Sequence, residues 1–253
     1  MSLFHNRRCS PTWEIENGKF QSFHLEFLHQ NTTFDLVVDK LQQLHLPPNV
    51  SLYLRGGIVE EYFPHPKADI DLLLVGGCSP IVVQNIQKVL MSFHRPIELL
   101  HVSIEQLLNV VPLHFLQKYR SVLIQGTPLE TPSIPFNLPL IETLWHLYHP
   151  ILCVQMLEGP VQYRLHSVKY LLRSVGVMGL FEGRYTRDLR TCIQWSQEYV
   201  PNSSLILQEC FDGLSFEQIP PLNLRMVIFE LIETFAQLKK NFVTEYETPI
   251  DNG

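Results

Sequence analysis

Apolar positions change their spacing partway along this chain, and the change divides it. Between residues 51 and 126, four short apolar runs are punctuated by turn formers. Ser51–Arg55 runs into Gly56-Gly57, Ile70–Val75 into Gly76-Gly77, and Ser121–Gln125 into Gly126, while Pro96 opens the run Pro96–Val102. Short apolar runs bounded by glycine and proline predict strands. Between the second and third, Ile81–Phe93 carries apolar residues at helical spacing, and shorter helical pieces lie between the third and fourth. Ahead of the strands, Leu36, Val37, Leu41 and Leu44 give one apolar face to a helix that opens at Thr32-Thr33. Asp35 suits its first-turn dipole, and Pro47-Pro48 bar its extension. Phe20, Phe23, Phe27 and Leu28 recur at near-helical spacing and predict a further packed helix, so residues 1–45 read as a helical extension.

The three-proline stretch 131–139 reads as a linker. After it the strand pattern stops. Apolar-periodic segments follow at about 140–158, 161–181, 186–199 and 221–243, separated by proline, glycine or asparagine clusters. The predicted fold class is therefore α/β of the α+β kind. A small mixed-sheet domain (1–130) is followed by an α-helical bundle domain (131–253).

Composition narrows the setting. With 45 % hydrophobic and 17 % charged residues, the chain can bury a core. Its formal net charge of −6 argues against stable nucleic-acid binding, which draws its affinity from neutralising phosphates. Five cysteines, an odd number with no Cys-x-x-Cys pair, point to free buried thiols rather than zinc or disulfides. No apolar run approaches membrane length, and Arg7-Arg8 is not followed by an apolar stretch. A cytoplasmic protein with no membrane partner is the expectation.

The informative segment runs from Leu52 to Val75. A strand ends in Gly56-Gly57, where backbone amides can approach a phosphate closely. A helix starting at Ile58 would add an anion site at its N-terminus. The following strand begins Asp69-Ile70-Asp71, and residues i and i+2 of a strand face one side. Two carboxylates aimed at one point suit hard divalent cations, and a pair of such ions can bridge a triphosphate and activate an attacking oxygen. Glu98 in the next strand alternates with Ile97 and Leu99 and is the best third acid, able also to accept a proton from an acceptor hydroxyl.

These residues carry a family resemblance. Gly56-Gly57, eleven residues, then Asp69-Ile70-Asp71 resembles the motif of the DNA-polymerase-β-like nucleotidyltransferase superfamily. The Glu98 strand looks like that family's third-carboxylate strand. The segment Tyr119–Leu129 is similar to the closing strand of bacterial members. A catalytic domain followed by a helical domain looks most like aminoglycoside-type nucleotidyltransferases and their uncharacterised relatives. The resemblance covers about 33–130 by motif and 140–245 by architecture.

It implies a five-element mixed sheet, two Mg²⁺ ions and an NTP, ATP foremost. Asp69, Asp71 and Glu98 would be the metal ligands and catalytic residues, with Gly56 and Gly57 cradling the β- and γ-phosphates. Many relatives carry serine at the position of Gly57 and serine or threonine at that of Ala68, and both hydroxyls are absent here. Arg55 stands where an apolar or small residue is common and offers a guanidinium to phosphate.

In the helical half, Arg164, Lys169, Arg173, Arg184, Arg187 and Arg190 form a basic stretch. His166, Lys169 and Arg173 share a helix face, so Lys169 and Arg173 are candidates to hold the triphosphate. Glu142, Glu158, Glu230 and Glu233 are candidates for an acidic acceptor pocket. The expected reaction moves a nucleoside monophosphate from an NTP to a hydroxyl of a small, antibiotic-like acceptor. The alternatives are nucleotidylation of a protein or an RNA end, and a non-catalytic nucleotide-binding regulator.

Overall fold

The computed structural model describes residues 8–9, 12–21, 24–25, 32–60, 69–130, 134, 136–215 and 218–247. In chain order the strands are Arg8–Cys9 (β1), Thr12–Glu16 (β2), Lys19–Gln21 (β3), His24–Leu25 (β4), Ser51–Arg55 (β5), Ile70–Val75 (β6), Ile97–Val102 (β7), Ser121–Gln125 (β8) and Arg184–Thr186 (β9). The helices begin with Thr32–Gln42 (α1), Gly57–Glu60 (α2), Pro80–Leu90 (α3), Ile104–Asn109 (α4) and Val111–Tyr119 (α5). They continue with Leu138–Leu147 (α6), Leu152–Glu158 (α7), Val161–Met178 (α8), Leu189–Tyr199 (α9), Ser204–Ser215 (α10) and Arg225–Glu247 (α11). The chain falls into two compact units, Met1–Pro11 with Ser22–Ile134 and Thr12–Gln21 with Pro135–Gly253.

The first unit is built on a sheet of order β7-β6-β5-β8, antiparallel except for the parallel pair β6–β7. The resemblance implies five sheet elements; among the described residues this sheet has four. Its central strands are apolar on both faces because both faces are covered. On one side Leu52, Leu54, Ile70, Leu72, Leu74, Val122 and Ile124 pack with Phe34, Val37, Val38 and Leu41 of α1 and Ile86 and Leu90 of α3. On the other, Tyr53, Leu73, Val75 and Val102 pack with Leu107 of α4 and Leu116 of α5. Each fully buried aliphatic side chain contributes roughly 1.5–3 kcal/mol of transfer free energy. Ser103 caps α4 reciprocally with Gln106, which fixes where the chain leaves β7.

The second unit is helical around α8, whose Val168, Leu171, Leu172 and Val175 are fully buried. Pro150 divides the expected 140–158 helix into α6 and α7, and α10 arises where no helix is predicted. Trp145 of α6 stacks on Phe235 of α11 with ring centroids 3.9 Å apart.

Two sequence expectations are corrected here. The strand pattern does not stop at the linker: β9 pairs antiparallel with β2, giving a sheet of order β3-β2-β9. The expected N-terminal helix is, where described, a hairpin: Phe20 is buried in β3, while Phe23, Phe27 and Leu28 lie outside the described residues. The hairpin turns through Asn17 (φ 52°) and Gly18 (φ 69°), the left-handed pair of a two-residue type I′ loop. Trp13, with no exposed surface, stacks on Tyr185 at 5.1 Å and anchors it.

Candidate active site

Strand register assembles the site. Arg55, the last residue of β5, pairs across to Asp71 on β6 and to Ser121 on β8, and Asp71 in turn pairs with Glu98 on β7. Ser121, Arg55, Asp71 and Glu98 therefore form one row across all four strands. The row lies on the sheet face that carries Tyr53, Leu73 and Val102, because alternation along each strand keeps i and i+2 together. Asp69 stands two residues before Asp71, at the exposed entry to β6.

The turn after β5 is built around Asp71. Gly56 has φ +79°, and a Cβ there would lie 2.8 Å from Asp71 Cγ and 2.9 Å from its Cβ, with Oδ2 closer still. Only glycine lets the aspartate side chain settle on the backbone at that point. Gly57 opens α2, but that helix is a single turn. It is too short for the N-terminal dipole site anticipated at Ile58, which needs several aligned peptides.

Arg55 does not extend into solvent. It is 9 % exposed; its Nε donates to the Leu72 carbonyl (3.3 Å) and its Nη2 to Glu98 Oε1 (2.6 Å). The guanidinium thus crosses the β6 strand and holds the third carboxylate, whose side chain is otherwise 67 % exposed. Among the described residues no group of three or more His, Cys, Asp or Glu side chains is assembled to hold a metal ion. The donor set still fits Mg²⁺, which commonly takes one or two carboxylates and draws its remaining ligands from water and substrate phosphates. Asp69 and Asp71 supply carboxylates at one strand entry, and one oxygen of Glu98 is taken by Arg55.

Beside the row, on the same sheet face, lies a cleft of about 450 Å³ lined by Tyr53, Gln117, Lys118, Ser121, Leu123 and Leu129, among others. Gln117 Nε2 and the Leu129 amide both donate to the Tyr53 hydroxyl at 3.3 Å. Burial raises the phenol pKa against those two donors. Sequence reasoning missed Tyr53, Gln117 and Ser121; the only local signal was a polar group in an otherwise apolar strand or helix face.

Lys169 and Arg173 lie on α8 in the second unit. Lys169 is half-buried, while Arg173 and the buried Arg187 both approach the ring of Tyr148, at 5.8 and 5.9 Å, and Arg187 Nε donates to its hydroxyl (3.0 Å). Arg184 belongs to a structural cluster, ion-paired to Glu182 and Glu198 at 2.7 Å and lying 4.5 Å above Trp195. The acids named for an acceptor pocket are divided among other tasks. Glu142 pairs with Lys239, Glu230 accepts from Asn202, and Glu158 lines a cleft of about 530 Å³ with Arg164, Arg225 and Leu222.

The described residues thus combine a strand ending in a tight glycine turn, an antiparallel neighbour entered by Asp-x-Asp and a parallel edge strand bearing an acid with a second unit that is mainly helical. No protein-family model matches the chain, and no curated sequence matches it significantly. The fold is shared with the crystal structure of spectinomycin adenyltransferase AAD(9) from Enterococcus faecialis with ATP and spectinomycin, at a TM-score of 0.56 and 16 % identity over 82 % of this chain and 99 % of that one. No described helix is long and apolar enough to cross a membrane.

Proposed function

We propose that this protein is a nucleotidyltransferase that moves a nucleoside monophosphate, AMP foremost, from an NTP to a hydroxyl of a small acceptor. The observation that carries the reading is the row of Arg55, Asp71 and Glu98 beside a glycine turn on which the Asp71 side chain rests. The shared fold with an adenyltransferase solved with ATP and spectinomycin supports ATP and an antibiotic-like acceptor.

In this reading the acceptor oxygen attacks the α-phosphorus, the bond to the bridging oxygen of the β-phosphate breaks, and pyrophosphate leaves. The hydroxyl proton passes to a carboxylate oxygen of Glu98. Asp69 and Asp71 would hold Mg²⁺, which when bound would neutralise triphosphate charge and polarise the phosphoryl group. Gly56 and Gly57 keep the turn open to the phosphates, and Arg55 lies within the row as a guanidinium able to bind them.

Thermal unfolding with each NTP, with and without Mg²⁺, tests this on the wild type and on Asp71→Asn. A nucleotide at 100 times its dissociation constant stabilises by about 2.7 kcal/mol, which in a chain of this size raises Tm by roughly 5–11 °C. The expected result is a shift with ATP that needs both Mg²⁺ and Asp71. The runner-up, a nucleotide-binding regulator, draws on the Arg55–Glu98 pair and the unassembled three-acid group. It expects an ATP shift indifferent to Mg²⁺ and to Asp71.

A further inference from the structure

A buried arginine is costly unless its charge is met, and a strand-end arginine normally extends into water. Arg55 does the opposite. Its Nε–Leu72 carbonyl bond aims the guanidinium along the row, and its Nη2 takes an oxygen of the one carboxylate on the edge strand. Asp71 lies between the two in register, and Asp69 stands at the same end of β6. One fixed cation therefore holds one carboxylate of the row, Glu98, and shares that row with a second, Asp71. A guanidinium and a divalent ion compete for the same carboxylate, since each satisfies it electrostatically and they repel each other.

We propose that Arg55 is a built-in counter-ion: it holds Glu98 while no nucleotide is bound, and it releases Glu98 when a nucleotide brings its own cation, turning to the triphosphate. The inference rests on the nucleotidyltransferase reading and gives Arg55 two partners in turn, Glu98 and then the triphosphate. The exchange is favourable in chemical kind, because a guanidinium binds phosphate oxygens bidentately as readily as carboxylate and the departing contact is replaced by Mg²⁺ on Glu98. It also gives the site an order. Metal alone finds one oxygen of Glu98 taken and a guanidinium charge beside the other, whereas metal with nucleotide supplies both partners for the exchange.

Mn²⁺ alone is the probe, titrated by electron paramagnetic resonance into nucleotide-free wild type, Arg55→Met and Arg55→Lys, and again with an ATP analogue carrying a methylene between the α- and β-phosphates. Arg55→Met is expected to bind Mn²⁺ about tenfold more tightly than wild type without nucleotide, and Arg55→Lys to stay near wild type. With the analogue the order reverses, and Arg55→Met binds the nucleotide at least tenfold more weakly. A variant that merely loosened the fold would lose metal affinity rather than gain it. Glu98→Gln gives a second readout that leaves the buried arginine in place: it is expected to bind the analogue more tightly than wild type in EDTA, because Arg55 is already free. Unchanged or weaker Mn²⁺ binding by a cooperatively melting Arg55→Met, or no gain for Glu98→Gln, overturns the inference while the function stands if wild type still shows Asp71-dependent binding of Mn²⁺ with nucleotide. Absence of that binding in wild type overturns both.

Discussion

Replacing Gly56 by alanine probes the tightest point of the site. The added Cβ lies 2.8 Å from Asp71 Cγ and 2.9 Å from Asp71 Cβ, where ordinary contact begins near 3.4 Å, and the Oδ2 approach is closer still. Asp71 must move, since β5 and β6 are locked by the pairs on either side. Alanine at φ +79° adds a backbone cost of roughly 1–2 kcal/mol. The lost freedom of the unfolded chain returns about 0.4–1 kcal/mol. With the displaced carboxylate included, the net destabilisation is about 1–3 kcal/mol, or a fall in Tm of roughly 2–12 °C. A misplacement on the order of 1 Å at a reacting centre costs about 100-fold in rate, so the nucleotide-dependent activity falls far more than the stability. Gly18→Ala is the control. It also has positive φ (+69°) but meets nothing within 4 Å of its Cβ. Differential scanning calorimetry and ATP–Mg²⁺ thermal shifts on both variants separate strain from site geometry. If Gly56→Ala loses no more nucleotide response than Gly18→Ala, the packing of Asp71 on this turn is irrelevant to the site and the reasoning fails.

Other measurements bear on the second unit. Trp13→Ala removes a fully buried indole stacked on Tyr185 and is expected to cost about 3–5 kcal/mol, visible in urea midpoints. Arg184→Ala loses two partly exposed ion pairs and its contact with Trp195, a smaller loss of about 1–2 kcal/mol that shrinks at high salt. Burial, with His146 alongside, depresses the pKa of His149 below its ordinary 6.5, and its Nδ1 must be unprotonated to accept from the Ile151 amide (3.2 Å). The folded state therefore favours neutral His149: its contribution is intact above about pH 6.5 and is lost as pH falls through the depressed value. His149→Gln is expected to flatten that part of the stability–pH curve. Burial pushes the thiols of Cys153 and Cys192 up to about 12, so at pH 8 a disulfide reagent should label the half-buried Cys78 well before either.

The four main strands are legible in the sequence because each is an apolar run ended or opened by a turn former, and a small sheet covered on both faces leaves little else for such runs to be. Asp69 and Asp71 are legible for the same local reason, their spacing of two. Arg55 is not. Its partner depends on the pairing β5–β6–β7, and register is a property of the assembled sheet rather than of any one segment. The N-terminal hairpin shows a different failure. Asn17-Gly18 is a strong two-residue turn signal, yet the spacing of Phe20, Phe23, Phe27 and Leu28 imitates a helix and outweighs it. The short strand that completes the sheet, Arg184–Thr186, is three residues long and carries two polar residues, and the Gly183 that opens it also ends the helical turn before it.

That hairpin has a consequence for how the protein is made. Thr12 and Thr186, whose hydroxyls meet at 2.8 Å, are 174 residues apart in the chain. At about 5–20 residues per second, a ribosome delivers the second roughly ten to thirty-five seconds after the first. For all that time the indole of Trp13 has no Tyr185 to lie against, while the strands of the first unit emerge beside it. The hairpin must wait for a long intervening stretch, so the second unit closes late, and a nascent chain stalled before Arg184 leaves the ribosome with Trp13 lacking Tyr185 and open to misassembly.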